Sequence, residues 1–222
     1  MVTGANGFLG QALVRRLVAE GGLGGGESPM TQLTLVGRKL PRSHRDMRIR
    51  YVDGDIRDAA TQMAIVDGGV DCLFHLAGAL IDRTEPDFDY GRSVNLDASL
   101  ALIDALRECK QPRVIFTSTI AVYGPASRNI NDDTVPRPIL SYGTHKLMVE
   151  EYLNDVTWRG SSMRGQCGYP ERCRVHVCRI GHFRRPSPAT SSMPSSQAKY
   201  SILPCRQRAK FGCYRCKAVS RT

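Results

Sequence analysis

Gly4-Ala5-Asn6-Gly7-Phe8-Leu9-Gly10 stands at the head of the 222-residue chain, behind only Met1-Val2-Thr3. Its three glycines let a backbone turn tightly and approach a bound group closely. Leu9, Leu13 and Leu17, with Val14 and Val18, then recur at helical spacing through residues 9–20. A glycine turn that opens an amphipathic helix offers free N–H groups and a positive dipole end, which suit a pyrophosphate. A plain strand-to-helix turn would use the same residues, so the sequence beyond residue 20 decides between the two.

Beyond it, two kinds of segment alternate. Leu33-Thr34-Leu35-Val36 and Ile49 to Val52 read as buried strands, and residues 57–66 as a short helix. Asp71 to Ala77 reads as a strand ending at Gly78. Leu96, Leu100, Ile103 and Leu106 mark a long helix, Val114 to Thr117 a strand, and Tyr142 to Leu153 a helix. Strands alternating with helices predict an α/β fold, a doubly wound parallel sheet with helices on both faces. The first strand is nearly absent from the sequence, since a central parallel strand normally has about five residues.

The composition divides near Trp158. Residues 1–157 carry 17 Lys+Arg against 20 Asp+Glu, whereas residues 158–222 carry 14 against Glu171 alone, with six of the eight cysteines. The net charge of +10 therefore describes neither part. Residues 1–157 are read as the dinucleotide-binding domain. Residues 158–222 are read as an irregular, disordered basic tail, rich in Arg, Ser, Pro and Cys, that replaces a substrate lobe. No run approaches 18 apolar residues, so no membrane helix is expected, and no secretory signal is read at the start. A cytoplasmic protein is expected on that basis.

Three readings of the tail compete. Cys213-Tyr214-Arg215-Cys216, with Cys173, His176, Cys178 and His182 upstream, has one metal-knuckle spacing, but the second pair is irregular, and no metal site is assigned. The cations would bind phosphate electrostatically, without a fold for specific nucleic-acid recognition. The third reading, taken as the leading one, is a slip of reading frame. Read from the third base of each codon from Ser162, the genetic code permits Asp-Ala-Arg-Ala-Val-Arg-Leu-Pro, a suitable sixth strand. Resequencing the coding DNA from Lys146 through Arg185 checks it. With its first strand clipped and its sixth replaced, the chain is expected to fold weakly and turn over little or nothing.

Chemistry gathers at Tyr142-Gly143-Thr144-His145-Lys146. A tyrosine and a lysine at i and i+4 share a helix face. A nearby ammonium lowers a phenol from its reference near 10, making it an acid/base at neutral pH. Ahead of it Thr117, Ser118 and Thr119 place hydroxyls at the carboxyl end of a strand, the edge where such sheets bind ligands. His75, in a strand, is read as a satisfied core residue, and His145 is given no role. The second strand ends Leu35-Val36-Gly37-Arg38, without the carboxylate that would hold an adenine ribose. Arg38 there suits a 2′-phosphate, so NADP has a slight edge over NAD.

Together these residues resemble the extended branch of the short-chain dehydrogenase/reductase superfamily, which includes the NAD-dependent epimerases and dehydratases. The resemblance rests on Thr3-Gly4-x-x-Gly7-x-x-Gly10, Asp55-Ile56, His75-Leu76-Ala77-Gly78, Asn95, Thr119 four before Tyr123, and Tyr142 with Lys146. Within the branch the chain is similar to D-erythronate dehydrogenase-like proteins, in Leu33 to Val36, Asp87 to Ala98, and Asp132-Asp133-Thr134 ahead of Ser141-Tyr142-Gly143. Gly37 departs from the acid those proteins carry.

The resemblance implies Tyr142 as general acid/base, Lys146 on the nicotinamide ribose, and Thr119 on the reacting oxygen. It implies Gly4, Gly7, Phe8, Leu9 and Gly10 around the pyrophosphate. Asp55, Ile56, Leu76, Ala77 and Gly78 would lie along the adenosine and Asn95 would support the cofactor; Arg38, from the reading of the strand end, and Thr117 complete the candidate cofactor site. The implied activity is NAD(P)-dependent oxidation of a sugar acid or polyol, with a homo-oligomer possible. The alternatives are a nucleotide-sugar epimerase or dehydratase, and a non-catalytic dinucleotide-binding fragment whose tail binds nucleic acid.

Overall fold

The first strand, β1, is only Val2–Thr3, yet it lies at the centre of the sheet. It pairs in parallel with β4 (Leu33–Gly37) on one side and β6 (Cys72–His75) on the other. Met1 extends the ladder, its carbonyl accepting from Phe74 N–H at 2.9 Å. Val2 and Thr3 are both fully buried. The two-residue strand is therefore held by its neighbours, which supply pairing on both edges.

The computed structural model describes residues 1–23, 28–42, 44–109, 112–125, 130, 134–163 and 175–180. After β1 come α1 (Phe8–Glu20), a two-residue antiparallel pair β2 (Gly22–Leu23) and β3 (Ser28–Pro29), β4, β5 (Ile49–Asp53) and α2 (Ala59–Asp67). Next are β6, the short helices α3 (Ile81–Thr84) and α4 (Phe88–Arg92), a π-helical turn over Ser93–Asp97, and α5 (Ala98–Cys109). β7 (Arg113–Thr119) runs into a 3-10 turn over Ile120–Tyr123, and α6 (Ser141–Met163) and β8 (Val175–Ile180) complete the described elements.

The main sheet has the order β5-β4-β1-β6-β7-β8, parallel throughout. This is the doubly wound order, and its direction reverses between β1 and β6. Strand alternation divides the core in two. On one face Val36, Leu73, Val114 and Phe116 meet α2, α5 and α6 through Ile65, Leu102, Leu106, Val149 and Leu153. On the other, Val2, Leu33 and Leu35 meet α1 through Val14 and Leu17. The α/β reading of the sequence is borne out.

Two elements extend past residue 157. Helix α6 continues to Met163, and β8 pairs with β7 from Val114↔Val175 to Thr119↔Ile180. The sixth sheet position, which sequence reading left without a strand in this frame, is occupied. Cys173, His182, Cys213 and Cys216 lie outside the described residues, as do Asp132, Asp133 and most of the Ser162 to Pro170 segment. Among the described residues no group of side chains could hold a metal ion, and no helix is long and apolar enough to cross a membrane.

Candidate active site

The strand order reverses between β1 and β6, and in sheets of this order the ligand crevice lies at the carboxyl ends of those strands. Gly4 carries the chain out of β1 at φ +68°, a conformation that favours glycine. A Cβ on Gly4 would stand 2.8 Å from the Ala77 nitrogen and the Leu76 carbonyl carbon. The glycine thus lets the two strand ends touch. Gly7 N–H closes the turn on the Gly4 carbonyl at 2.9 Å, and a Cβ on Gly10 would be 2.2 Å from that carbonyl oxygen. The start of α1 is thereby drawn against the turn. No side chain caps α1 at Gly7, so its first turn presents backbone N–H groups and the positive end of the helix dipole. Phe8 and Leu9 are exposed beside it.

The far wall is set by Asn95, buried in the π-helical turn. Its Oδ1 accepts from Ala79 N–H at 2.8 Å and its Nδ2 donates to the Ala79 carbonyl at 3.0 Å. Both amide groups are thus spent on the loop after β6, so Asn95 shapes the wall of the crevice. A Cβ on Gly78 would lie 3.1 Å from Asn95 Oδ1 and 3.2 Å from Lys146 Nζ. Gly78, Asn95 and Lys146 therefore meet.

Helix α6 delivers Tyr142 and Lys146. Its first turn is fixed from outside by Glu85, whose Oε1 accepts from Tyr142 N–H at 2.8 Å. Gly143 lets α6 close on the 3-10 turn, since a Cβ there would be 2.5 Å from the Ala121 carbonyl. Thr119 hydrogen-bonds the Tyr142 side chain, and its Oγ1 also accepts from Ala121 N–H at 3.2 Å. Lys146 Nζ donates to the Thr117 carbonyl at 3.2 Å and lies 4.7 Å from the Phe116 ring centroid. Thr119, Tyr142 and Lys146 are thus brought together at the carboxyl end of β7, as the sequence implied.

One expectation is corrected. The phenol is not lowered by Lys146; burial pushes Tyr142 above its ordinary value, and the Thr119 hydrogen bond offsets only part of that. The lysine is aimed at the Thr117 carbonyl and is itself lowered to about 8, by burial first, with Glu150 opposing.

Other predicted residues sit differently from one another. Asp55 forms an ion pair with Arg57 at 2.9 Å, which holds its carboxyl below the usual range, and Ile56 beside it is buried. Thr117 Oγ1 donates to the His75 carbonyl at 3.2 Å, tying β7 to β6. Arg38 is exposed just past β4, close enough to add to the lowering of Asp55. At Gly37 a Cβ would stand 2.9 Å from Asn6 Oδ1, so Asn6 fills the space beside the strand end. Asp53, paired in register with Gly37, is taken up by Arg42 and Leu40 N–H. His145 is buried against Phe88, ring centroids 5.5 Å apart. Sequence reading missed Glu85 and Glu150, and placed Ser118 at the strand edge without its partner Glu150. No sequence signal ties Glu85 to a residue 57 positions away, and the one available sign for Glu150 was its four-residue spacing from Lys146.

A doubly wound sheet, a glycine turn at its switch point and a Thr-Tyr-Lys group at the adjacent strand end are the features of a dinucleotide-binding domain of the short-chain dehydrogenase/reductase type. The profile of the NAD dependent epimerase/dehydratase family matches residues 1–168. The chain belongs to that family. It is 42% identical over 164 residues to D-erythronate dehydrogenase of Cupriavidus necator, covering 72% of this chain and 51% of that one. Among solved structures it is similar to a nucleoside-diphosphate-sugar epimerase from Agrobacterium tumefaciens, at 35% identity and TM-score 0.64, covering 72% of this chain and 48% of the other. It is also similar to MoeE5 in complex with UDP-glucuronic acid and NAD, at 26% identity and TM-score 0.62, covering 80% and 52%. The chain spans about half the length of the curated relatives it matches.

Proposed function

We propose that residues 1–157 form the dinucleotide-binding domain of an NAD(P)-dependent oxidoreductase that oxidises a secondary alcohol of a sugar acid such as D-erythronate. The observation that carries the reading is the meeting of Thr119, Tyr142 and Lys146 beside the crevice at Gly4 and Gly78. What supports a dinucleotide here is bare backbone: added Cβ atoms at Gly4 and Gly10 would strike backbone of the turn or of the loop after β6, and one at Gly78 would press on Asn95 and Lys146. The N-terminus of α1 would hold the pyrophosphate, with Gly7, Phe8, Leu9 and Gly10 supplying backbone. Leu76 and Ala77 would line the adenosine side with Asp55 and Ile56. The cofactor supplies hydride acceptance. In its phenolate form Tyr142 would take the alcohol proton and become the phenol, Thr119 would orient the reacting oxygen, and Lys146 would hold the ribose by a charged hydrogen bond.

The likeness to D-erythronate dehydrogenase supports the sugar-acid substrate. A second reading, nucleotide-sugar epimerisation with the same three residues, is supported by the likeness to the epimerase structure. Calorimetric titration with NADH and NADPH, then assays with D-erythronate and UDP-glucose, separates them. Dinucleotide binding with reduction on D-erythronate supports the first, and interconversion of UDP-sugars without net reduction supports the second. Binding of neither dinucleotide sinks both. A change of reading frame near Trp158 remains part of the proposal, and resequencing that reveals an unbroken frame removes it.

Cofactor choice gives a separate prediction. Asn6 occupies the space at Gly37 and Asp53 is committed to Arg42, so among the described residues no carboxylate stands at the end of β4 for the 2′-hydroxyl, while Arg38 is exposed there. NADPH is therefore expected to bind at least as tightly as NADH. Arg38→Ala should weaken NADPH about 10-fold, the worth of one charge-assisted phosphate contact, and leave NADH unchanged. Equal losses for both dinucleotides would show that Arg38 does not read the phosphate.

A further inference from the structure

Helix α6 buries three polar side chains at four-residue spacing, Tyr142, Lys146 and Glu150. The first two belong to the site already described. Glu150 is only 2% exposed, and Lys146 4%. A carboxylate is almost never so enclosed unless it is paired. Ser118, buried in β7, donates its hydroxyl to Glu150 Oε1. The lysine lies a turn away, over the Phe116 ring, with its Nζ on the Thr117 carbonyl. Phe116, Thr117 and Ser118 are consecutive, so one short stretch of β7 holds both ends of the charge pair.

We propose that Glu150 is a positioning residue: fixed by Ser118 one turn beyond Lys146 on the buried face of α6, its carboxylate keeps the lysine charged and held toward the crevice. The chemistry is that of a counter-ion. A lone ammonium enclosed in protein sheds its proton, because burial penalises the charged form. Burial does lower Lys146, to about 8, and Glu150 is what opposes it. The other titratable groups around the lysine do not replace it. His75, on β6, is held neutral at neutral pH by burial, and Tyr142 is pushed up by burial and is also neutral. Without Glu150 the lysine would therefore face two neutral groups and an aromatic ring. A neutral amine in that place would lose the charged hydrogen bond that a ribose hydroxyl accepts.

The inference rests on the reading of Lys146 as the ribose ligand, but its test does not need that reading. The chain has six lysines: Lys39, Lys110, Lys146, Lys199, Lys210 and Lys217. Selective 13Cε labelling of lysine gives a small spectrum in which Lys146 is assigned by its loss in Lys146→Arg. Its titration midpoint is expected near 8 in the wild type. Glu150→Gln keeps the acceptor for Ser118 and removes only the charge, and should lower the midpoint by about one pH unit. Glu150→Asp, which restores a charge, should recover part of the shift. Ser118→Ala, which keeps both charges and frees the carboxylate, should lower the midpoint by a smaller amount, and it carries the test should Glu150→Gln fail to fold. A midpoint unchanged in a cooperatively melting Glu150→Gln or, failing that, Ser118→Ala protein overturns the proposal. Parallel NADH titrations separate the two readings. A shifted Lys146 midpoint in a protein that binds no dinucleotide supports the counter-ion role and sinks the cofactor reading. Where NADH binds, its affinity should fall away at a lower pH in Glu150→Gln than in the wild type, a change that a purely packing role would not produce.

Discussion

Gly10→Ala is expected to destabilise the protein by about 3 kcal/mol and to weaken dinucleotide binding more than about 100-fold. The new Cβ would stand 2.2 Å from the Gly4 carbonyl oxygen and 2.8 Å from the Ala5 Cα and carbonyl carbon. All three are backbone atoms of a turn that is fixed at its other end. Gly4 is at φ +68° and packed on Ala77, and Ala5 N–H donates to the Val36 carbonyl at 3.2 Å. The turn cannot yield, so α1 must move. Moving α1 lifts Val14 and Leu17 from Val2, Leu33 and Leu35, the centre of one core face. The cost is large against a total stability of roughly 5–15 kcal/mol. Displacing the N-terminus of α1 also moves the N–H groups that would meet a pyrophosphate. Gly7→Ala is the control. Its Cβ would meet only the Gly4 carbonyl, at 3.2 Å, and its backbone, at φ −73°, is open to alanine. Urea unfolding read beside calorimetric NADH titration checks both. A Gly10→Ala midpoint equal to that of Gly7→Ala would mean that the turn does not hold α1 as described.

The features legible in the sequence were those set by local rules. A glycine turn, a helical repeat and runs of branched apolar residues each announce themselves within about ten positions, and their order implies the sheet. Tyr142 and Lys146 were legible for the same reason, being one helical turn apart. Features that escaped depend on distant partners. Two residues sufficed for β1 because β4 and β6, far along the chain, pair with it on both edges. The helix expected around Leu96 begins as a π-helical turn, which brings Asn95 round to both backbone groups of Ala79. Glu150, one helical turn from Lys146, looks like a solvated acid in the sequence; only the fold buries it and brings Ser118 to it. The shift of Tyr142 was misjudged in sign, because spacing gives the nearness of an ammonium but not the burial that outweighs it.

The same weighing of burial against charge predicts how the protein responds to acid. His75 is fully enclosed at the end of β6, and burial, with a smaller effect from Lys146, lowers it to about 3. Its ring is nonetheless well satisfied while neutral. Nδ1 is 2.7 Å from Thr3 Oγ1, Nε2 is 3.0 Å from Ser99 Oγ, and the ring stacks on Phe116 at 5.7 Å between centroids. The Ser99 hydroxyl donates to the Asn95 carbonyl at 3.2 Å and so accepts from Nε2–H, while the Thr3 hydroxyl donates to Nδ1, which satisfies the neutral ring. A protonated ring would have to donate at both nitrogens while sharing Phe116 with the Lys146 charge. In the unfolded chain the same imidazole titrates near 6.5. Between 6.5 and about 3 the unfolded state therefore binds a proton that the native state refuses. The contribution is fully present above 6.5 and is lost as the pH falls, at about 1.4 kcal/mol per unit, reaching about 2 kcal/mol by pH 5. Lys146, with its midpoint at about 8, stays charged through this window and adds no slope. Carboxylates do add slope, so the comparison is with His75→Gln, in which they remain. Urea unfolding at pH 7 and pH 5 should show the wild type losing about 2 kcal/mol more than the variant. The His75 Hε1 resonance should also fail to titrate above pH 4. An equal loss in both proteins would mean that His75 takes up its proton in the folded state. The pairing of Thr3 with β6 would then have to open in mild acid without unfolding the sheet around it.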